Sequence, residues 1–67
     1  MKVTISHDGC WCGDGRWDGQ QIVDCPAVLP DEVYDALDAA LATALQRGES
    51  EATIEAEDGR YTIRVDG

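Results

Sequence analysis

The sequence predicts an α+β fold, in which one helix packs on one face of an antiparallel sheet of three to four short strands. Three patterns predict it. Apolar and polar residues alternate near the amino terminus, the middle of the chain repeats with helical period, and the tail alternates again around an Asp-Gly dipeptide. The expected order of elements is β-β-α-β-β. A chain of 67 residues forms a single domain, residues 1–67, with a small core.

Two short strands are expected before the helix. In the opening segment MKVTIS, valine and isoleucine alternate with polar residues, which is typical of a half-buried strand. Residues 20–25, QQIVDC, are the second candidate, and they end at Pro26, which cannot continue a ladder. The segment between them, HDGCWCGDGRWDG at residues 7–19, is predicted to be a strand–turn–strand connector. Its turn is expected at the Gly-Asp-Gly of residues 13–15.

The helix is predicted to begin at Pro30, because the missing N–H of proline costs nothing at the first helical position. Asp31 and Glu32 follow, near the positive end of the helix dipole. Arg47 is expected in the last turn and Gly48 as the C-terminal cap. The apolar residues that recur at helical spacing form one stripe: Val33, Leu37, Ala40, Leu41 and Ala44.

The tail is predicted to be a hairpin. Asp58 and Gly59 predict a two-residue loop, which sets Glu57 opposite Arg60 as a favourable cross-strand pair. A slip of one residue would turn the charged face of the hairpin into the core, so the register is well specified. One face of this hairpin is apolar: Ala52, Ile54, Ala56, Tyr61, Ile63 and Val65.

The rare side chains of residues 7–19 raise the question of a metal site. The candidate zinc ligands are His7, Cys10, Cys12 and Cys25. Only one residue separates Cys10 from Cys12, whereas structural zinc sites use a Cys-x2-4-Cys spacing. We therefore predict no metal and no cofactor, with the cysteines as small packing residues. A small zinc-binding interaction module built on these four residues is the alternative.

The composition restricts the class of partner. Fourteen acids and five bases give a net charge of −9 at pH 7. This excess argues against direct contact with nucleic acid or an anionic membrane, and it favours a basic protein partner. Solubility and adaptation to high salt explain the same excess and stay open as alternatives. The chain is too short to build a catalytic pocket with the residues that orient it, so we do not expect an enzyme.

The sequence contains no recognisable targeting segment. The opening MKVTIS lacks an apolar signal core, and no apolar run approaches the roughly 20 residues that cross a bilayer. We therefore expect a cytoplasmic protein whose three cysteines are reduced.

The charge is concentrated in the second half of the chain, where residues 31–67 carry ten acids and three bases. Asp31, Asp35 and Asp38 are spaced i, i+4 and i+7, which places them on one helix face away from the apolar stripe. A second cluster follows the helix: Glu49, Glu51, Glu55, Glu57 and Asp58. Rows of carboxylates with this spacing are comparable to the phosphates of a nucleic-acid backbone, so they are expected to fit a basic groove.

In this character the chain resembles the small acidic anti-defence proteins of phages, which include type I anti-CRISPR inhibitors and DNA-mimic anti-restriction proteins. The residues that carry the resemblance are Asp31, Glu32, Asp35, Asp38, Glu49, Glu51, Glu55 and Glu57. It implies a non-enzymatic inhibitor that binds a basic, nucleic-acid-binding subunit of a bacterial immune complex, such as a type I CRISPR–Cas effector, and blocks DNA access. Asp14 and Asp18 are expected to extend the acidic surface, and Trp17 to supply a contact edge.

Overall fold

The computed structural model of the protein describes residues 1–25 and 29–66, and within them the chain forms one sheet and one helix. The strands are β1 (Lys2–His7), β2 (Cys10–Trp17), β3 (Ile22–Val23), β4 (Glu51–Ala56) and β5 (Gly59–Asp66), and the helix is α1 (Asp31–Gln46). All neighbouring strands are antiparallel, in the spatial order β3-β2-β1-β5-β4. The sheet curls into a half-barrel, and α1 packs against β4 and β5.

The predicted sheet of three to four strands in the order β-β-α-β-β is wrong. The described residues contain five strands in the order β-β-β-α-β-β. The additional strand is β2, which lies inside the glycine-rich segment that we predicted to be a connector. Because β2 pairs with β1 on one side and β3 on the other, this segment is an integral part of the sheet. The predicted strand end at Pro26 lies outside the described residues.

The turn between β1 and β2 consists of Asp8 and Gly9, with φ of 50° and 85°. Positive φ at both loop positions is what a type I′ hairpin turn requires, and Asp-Gly is a favoured pair for it. The turn predicted at residues 13–15 is therefore wrong. Those residues lie in the ladder, where Gly13 pairs with Ile5 and Gly15 with Val3.

The glycine at position 15 permits a close approach of two segments. A β-carbon on Gly15 would lie 2.9 Å from the β-carbon of Cys25. Any side chain here would therefore push away the chain that leaves β3. The glycine that suggested a turn in the sequence is used instead for packing inside a strand.

A β-bulge in β2 determines which of two neighbouring residues, Trp11 or Cys12, faces the core. The register shifts between Ile5 and Ser6, so that Ser6 pairs with Trp11 and Cys12 is the extra residue. Trp11 lies on the outer face of the sheet with 68% of its surface exposed, whereas Cys12 packs against the core. Without the bulge, alternation from Gly13, which pairs with the core residue Ile5, would place Cys12 on the outer face and Trp11 on the core face.

The predicted helix is present, but it is one residue shorter at each end. Arg47, expected in the last turn, is the C-cap, and Ala40 of the predicted apolar stripe is half-buried. α1 begins after Pro30, which is the N-cap rather than the first helical residue, and its buried residues are Val33, Leu37, Leu41 and Ala44. The C-terminal end is a Schellman motif, because Gly48 at φ +79° donates its N–H to Leu45 and Glu49 donates to Ala44. The helix covers the concave face of the sheet, and together they bury the core: Val3, Ile5, Trp17, Val33, Leu37, Leu41, Ala44, Tyr61 and Ile63.

The tail hairpin is present, but its register differs from the prediction. Ala56 pairs with Gly59, so the loop residues are Glu57 and Asp58. Arg60 therefore faces Glu55 instead of Glu57, and their side chains form an ion pair of 3.1 Å. The displacement is by two residues. Each side chain thus stays on its predicted face, and the apolar set still faces the helix.

The β4–β5 turn is fastened to the β1–β2 turn by polar contacts. Tyr61 donates its hydroxyl to an Asp58 carboxylate oxygen at 2.7 Å, and His7 stacks on the Tyr61 ring with centroids 4.3 Å apart. His7 Nε2 lies 2.8 Å from the Asp58 carbonyl oxygen, so it is the donor there. From the other side, the Asp8 carboxylate accepts the N–H of Arg60 at 2.9 Å.

The hydroxyls of both tyrosines have a raised pKa. The hydrogen bond to Asp58, followed by burial, raises the pKa of Tyr61 to about 12, and burial, followed by a bond to Cys25, raises the pKa of Tyr34. The native state keeps tyrosine protons that the unfolded state loses at high pH. The contribution of these two hydroxyls to the free energy of unfolding is therefore fully present below about pH 10, and it is lost as the pH rises through the native pKa values. Tyrosinate absorbance of the folded protein should lag behind that of the urea-unfolded chain in an alkaline titration.

The variant Asp58→Asn is the control for this titration. It keeps a hydrogen-bond acceptor and removes the charge, so the pKa of Tyr61 should fall while that of Tyr34 stays high. Native titration of both tyrosines together with the unfolded chain would contradict the described contacts.

Candidate functional site

The bases of the sheet are each matched with an acid. Four ion pairs lie on it: Lys2–Asp14 at 3.5 Å, Arg16–Asp24 at 3.9 Å, Arg60–Glu55 at 3.1 Å and Arg64–Glu51 at 3.3 Å. Exposed pairs of this kind contribute about 0–1 kcal/mol each, so they add little stability. Their main effect is to leave the outer face of the sheet close to neutral.

The helix has the opposite character. α1 carries four acids and no lysine or arginine over residues 31–46. Asp31, Glu32 and Asp35 are exposed, and the first two lie in the first turn, where the helix dipole stabilises negative charge. Most of the uncompensated charge of the protein therefore lies on the helix and on the turns near it.

The acids predicted after the helix separate into two groups along the junction of α1 and β4. Glu32, Glu55 and Glu57 line one surface depression of about 630 Å³ near the helix start, together with Asp58. A second depression of about 590 Å³ lies near the helix end. Glu49, Glu51 and the base Arg47 line it. The structure thus brings most of the predicted acids to one seam of the molecule.

Asp14 and Asp18 have local structural partners. Asp14 accepts the indole N–H of Trp11 at 3.0 Å, and this bond is the main cause that lowers its pKa. Asp18 accepts the backbone N–H groups of Gln21 and Gln20, both at 2.8 Å, which lower its pKa and fix the β2–β3 turn. Both carboxylates remain charged, and neither lies on the α1–β4 seam.

Asp38 does not share the exposure of Asp31 and Asp35, because it is half-buried against β3. Its carboxylate accepts the N–H of Ile22 at 2.9 Å. Burial raises the pKa of Asp38, and the negative charges of Asp35 and Asp18 raise it further against the opposing effect of the Ile22 bond. The side chain joins the helix to the edge of the sheet.

The surface tryptophan is Trp11 and not Trp17. Trp17, which we predicted as a contact edge, has 4% of its surface exposed and lies in the core. Trp11 is the exposed one, and the sequence analysis did not single it out. The signal that places it outside is the bulge at Cys12, which no local pattern announces.

The alternative zinc site is not assembled. In residues 1–25 and 29–66, no three or more His, Cys, Asp or Glu side chains are grouped so that they could hold a metal ion. His7 stacks on Tyr61, Cys10 is exposed, and Cys12 and Cys25 pack against the core. Over the same residues, no helix has both the length and the apolar character needed to cross a bilayer.

Comparison with protein-family models, with curated proteins and with solved structures finds no match for this chain.

The Asp38 bond predicts a specific pattern of stability. Asp38→Ala leaves the Ile22 N–H without its acceptor and should lower the free energy of unfolding by about 1–3 kcal/mol. Asp38→Asn keeps an acceptor and removes a partly desolvated charge, so it should be at least as stable as the wild type at pH 7. Urea unfolding measures both variants.

The pH dependence separates the two effects. Because the native pKa of Asp38 is raised above 3.8, the free energy of unfolding of the wild type should fall as the pH rises from 3.8 through the native pKa. The free energy of unfolding of Asp38→Asn should not show this fall. Asp35→Asn is the matched control, since it removes an exposed charge from the next turn of the same helix. Equal stability of Asp38→Ala and Asp35→Asn would show that the bond contributes nothing.

Proposed function

We propose that this protein is a non-enzymatic, acidic inhibitor that binds a basic, nucleic-acid-binding surface of another protein and thereby blocks access of DNA. The proposed partner is a subunit of a bacterial immune complex, such as a type I CRISPR–Cas effector, and the proposed place of action is the bacterial cytoplasm. A phage origin would account for such a function.

The segregation of charge is the observation that carries the proposal. Four of the five bases lie on the sheet and are paired there, so most of the net charge of −9 lies on the helix and on the turns beside β4. A surface optimised for stability alone would place a lysine between Asp31 and Asp35 or Asp38, since like charges at i, i+4 destabilise a helix. An unbroken acidic surface steers association with a basic partner.

The absence of a dry polar site supports a binding role over a catalytic one. Catalytic acids and bases usually owe their shifted pKa values to burial and to a specific neighbour. Among the residues that the structure describes, no charged side chain is buried, and the hydroxyl of the buried Tyr61 is bound by Asp58. The depressions along α1 and β4 are shallow surface features lined by small and acidic side chains.

The proposal predicts binding that depends on salt and on the helix acids. The purified protein should bind a purified type I effector complex, with an affinity that falls about tenfold or more between low and physiological salt. The triple variant Asp31→Asn, Glu32→Gln, Asp35→Asn should bind about tenfold more weakly and with a flatter salt dependence, measured by interferometry or calorimetry.

A matched variant removes the same number of charges elsewhere. Asp8→Asn, Asp24→Asn and Asp66→Asn change acids outside the helix and the groove, and asparagine tolerates the positive φ of 50° and 54° at positions 8 and 24. This control should keep most of the affinity. Equal binding by all three proteins, or binding indifferent to salt, would contradict the mimic mechanism. Unfolding of the free wild type at low salt would instead favour adaptation to high salt.

A further inference from the structure

The two edges of the sheet are not equivalent. β3 forms one edge, and its outward-facing Ile22 N–H is taken by Asp38 of the helix. β4 forms the other edge and pairs only with β5 among the described residues. An open edge of this kind presents a row of unpaired backbone groups, which is the template for adding another strand.

The ladder between β4 and β5 identifies the outward groups. Val65 donates its N–H to Ser50 at 2.8 Å, which fixes the phase of the hydrogen bonds along the antiparallel pair. Even-numbered residues of β4 therefore bond to β5. The N–H and C=O groups of Glu51, Thr53 and Glu55 point away from it, and no partner for them is found in residues 1–25 and 29–66.

The helix provides a second wall beside this edge. The two depressions of the α1–β4 seam, of about 590 and 630 Å³, follow β4 from one end to the other. Small side chains, Ala36, Ala39 and Thr43, form the helix side of the groove. A strand added to β4 would lie about 4.8 Å from it, in the space that these small residues leave.

Charge selects the occupant. Six acidic residues line the groove, but Glu51 and Glu55 are paired with Arg64 and Arg60. The remaining acids of the lining, set against the lining base Arg47, are Glu32, Glu49, Glu57 and Asp58. A second copy of this chain is disfavoured, because antiparallel self-pairing centred on Thr53 would set Glu51 opposite Glu55, and like charges directly opposite each other are destabilising. An extended segment with cations at alternate positions places positive charge beside these four carboxylates.

We propose that the β4 edge accepts an extended basic segment of a partner protein by antiparallel strand addition in the groove between β4 and α1. The inference rests on the proposed function only in the sign of the partner's charge. It names the structural mode of binding, which the acidic surface alone leaves undefined.

The test uses a capped peptide of alternating lysine and threonine, about seven residues long, which is a usual strand length. At a concentration of ten times its Kd, the peptide should slow amide hydrogen exchange about tenfold at Glu51, Thr53 and Glu55. The amides of Ala52 and Ile54 are already bonded to β5 and should change little. The same peptide methylated on the backbone nitrogens of its lysines keeps every side-chain charge. It loses the backbone N–H groups that would donate to β4, so it should not bind.

Two variants of the protein test the edge itself. Thr53→Pro removes an outward N–H without breaking a bond to β5, so it should fold and should bind the peptide about fivefold or more weakly. Thr53→Val keeps the N–H and is the matched control, expected to bind like the wild type. Thermal melts of both variants verify that they are folded.

The outcomes separate the two proposals. If the methylated peptide binds equally well, or Thr53→Pro binds unchanged, strand addition is overturned. Protection of the same three amides by self-association, seen as a dimer in sedimentation, overturns it in favour of a second copy. If Thr53→Pro still binds the effector complex while the helix triple variant does not, the proposed function stands and strand addition fails. Peptide binding without binding to any effector complex gives the reverse result.

Discussion

The contact between Asp38 and Ile22 organises much of what is distinctive in this structure. The hydrogen bond of 2.9 Å joins α1 to the edge of the sheet that is farthest from the strands on which α1 packs. A two-residue strand such as β3 has too few ladder bonds to hold its own position, and the carboxylate occupies the N–H that would otherwise face outward. The helix thereby occupies an outward N–H at the β3 edge, whereas the outward backbone groups of β4, at the other edge, have no partner among the described residues.

The same contact also explains why the acidic surface is smaller than the spacing of the helix acids suggests. A carboxylate that bonds to the backbone and is partly desolvated contributes less to an external field than an exposed one. Asp38 is in that situation, whereas Asp31 and Asp35 face solvent. The exposed charge is therefore centred on the first half of α1 and on the Glu57–Asp58 turn, which lie together around one depression.

The helix and the faces of the tail hairpin could be predicted from the sequence, because residues close together in the chain determine them. The helix period, its Pro30 start and its Gly48 cap all act within a few residues, and they fixed α1 to within one residue at each end. The faces of the tail hairpin were also predictable, because a displacement of two residues preserves alternation. The turns were not. Asp-Gly occurs five times in the chain, and only the register of the whole sheet selects residues 8 and 9 as the pair with two positive φ angles.

The site was less accessible to sequence reasoning than the fold, because it depends on which strand becomes an edge. Nothing within residues 51–56 distinguishes an edge strand from a central one, and the insertion of β1 between β2 and β5 is a non-local choice. Once β4 is known to be the edge, its glutamates can be assigned a further role. Charged side chains such as those of Glu51 and Glu55 generally hinder the pairing of an open edge with its own copies. Because Arg64 and Arg60 already pair with these two glutamates, the proposed selection of a basic strand rests on the groove acids that form no ion pair within the described residues, which are Glu32, Glu49, Glu57 and Asp58.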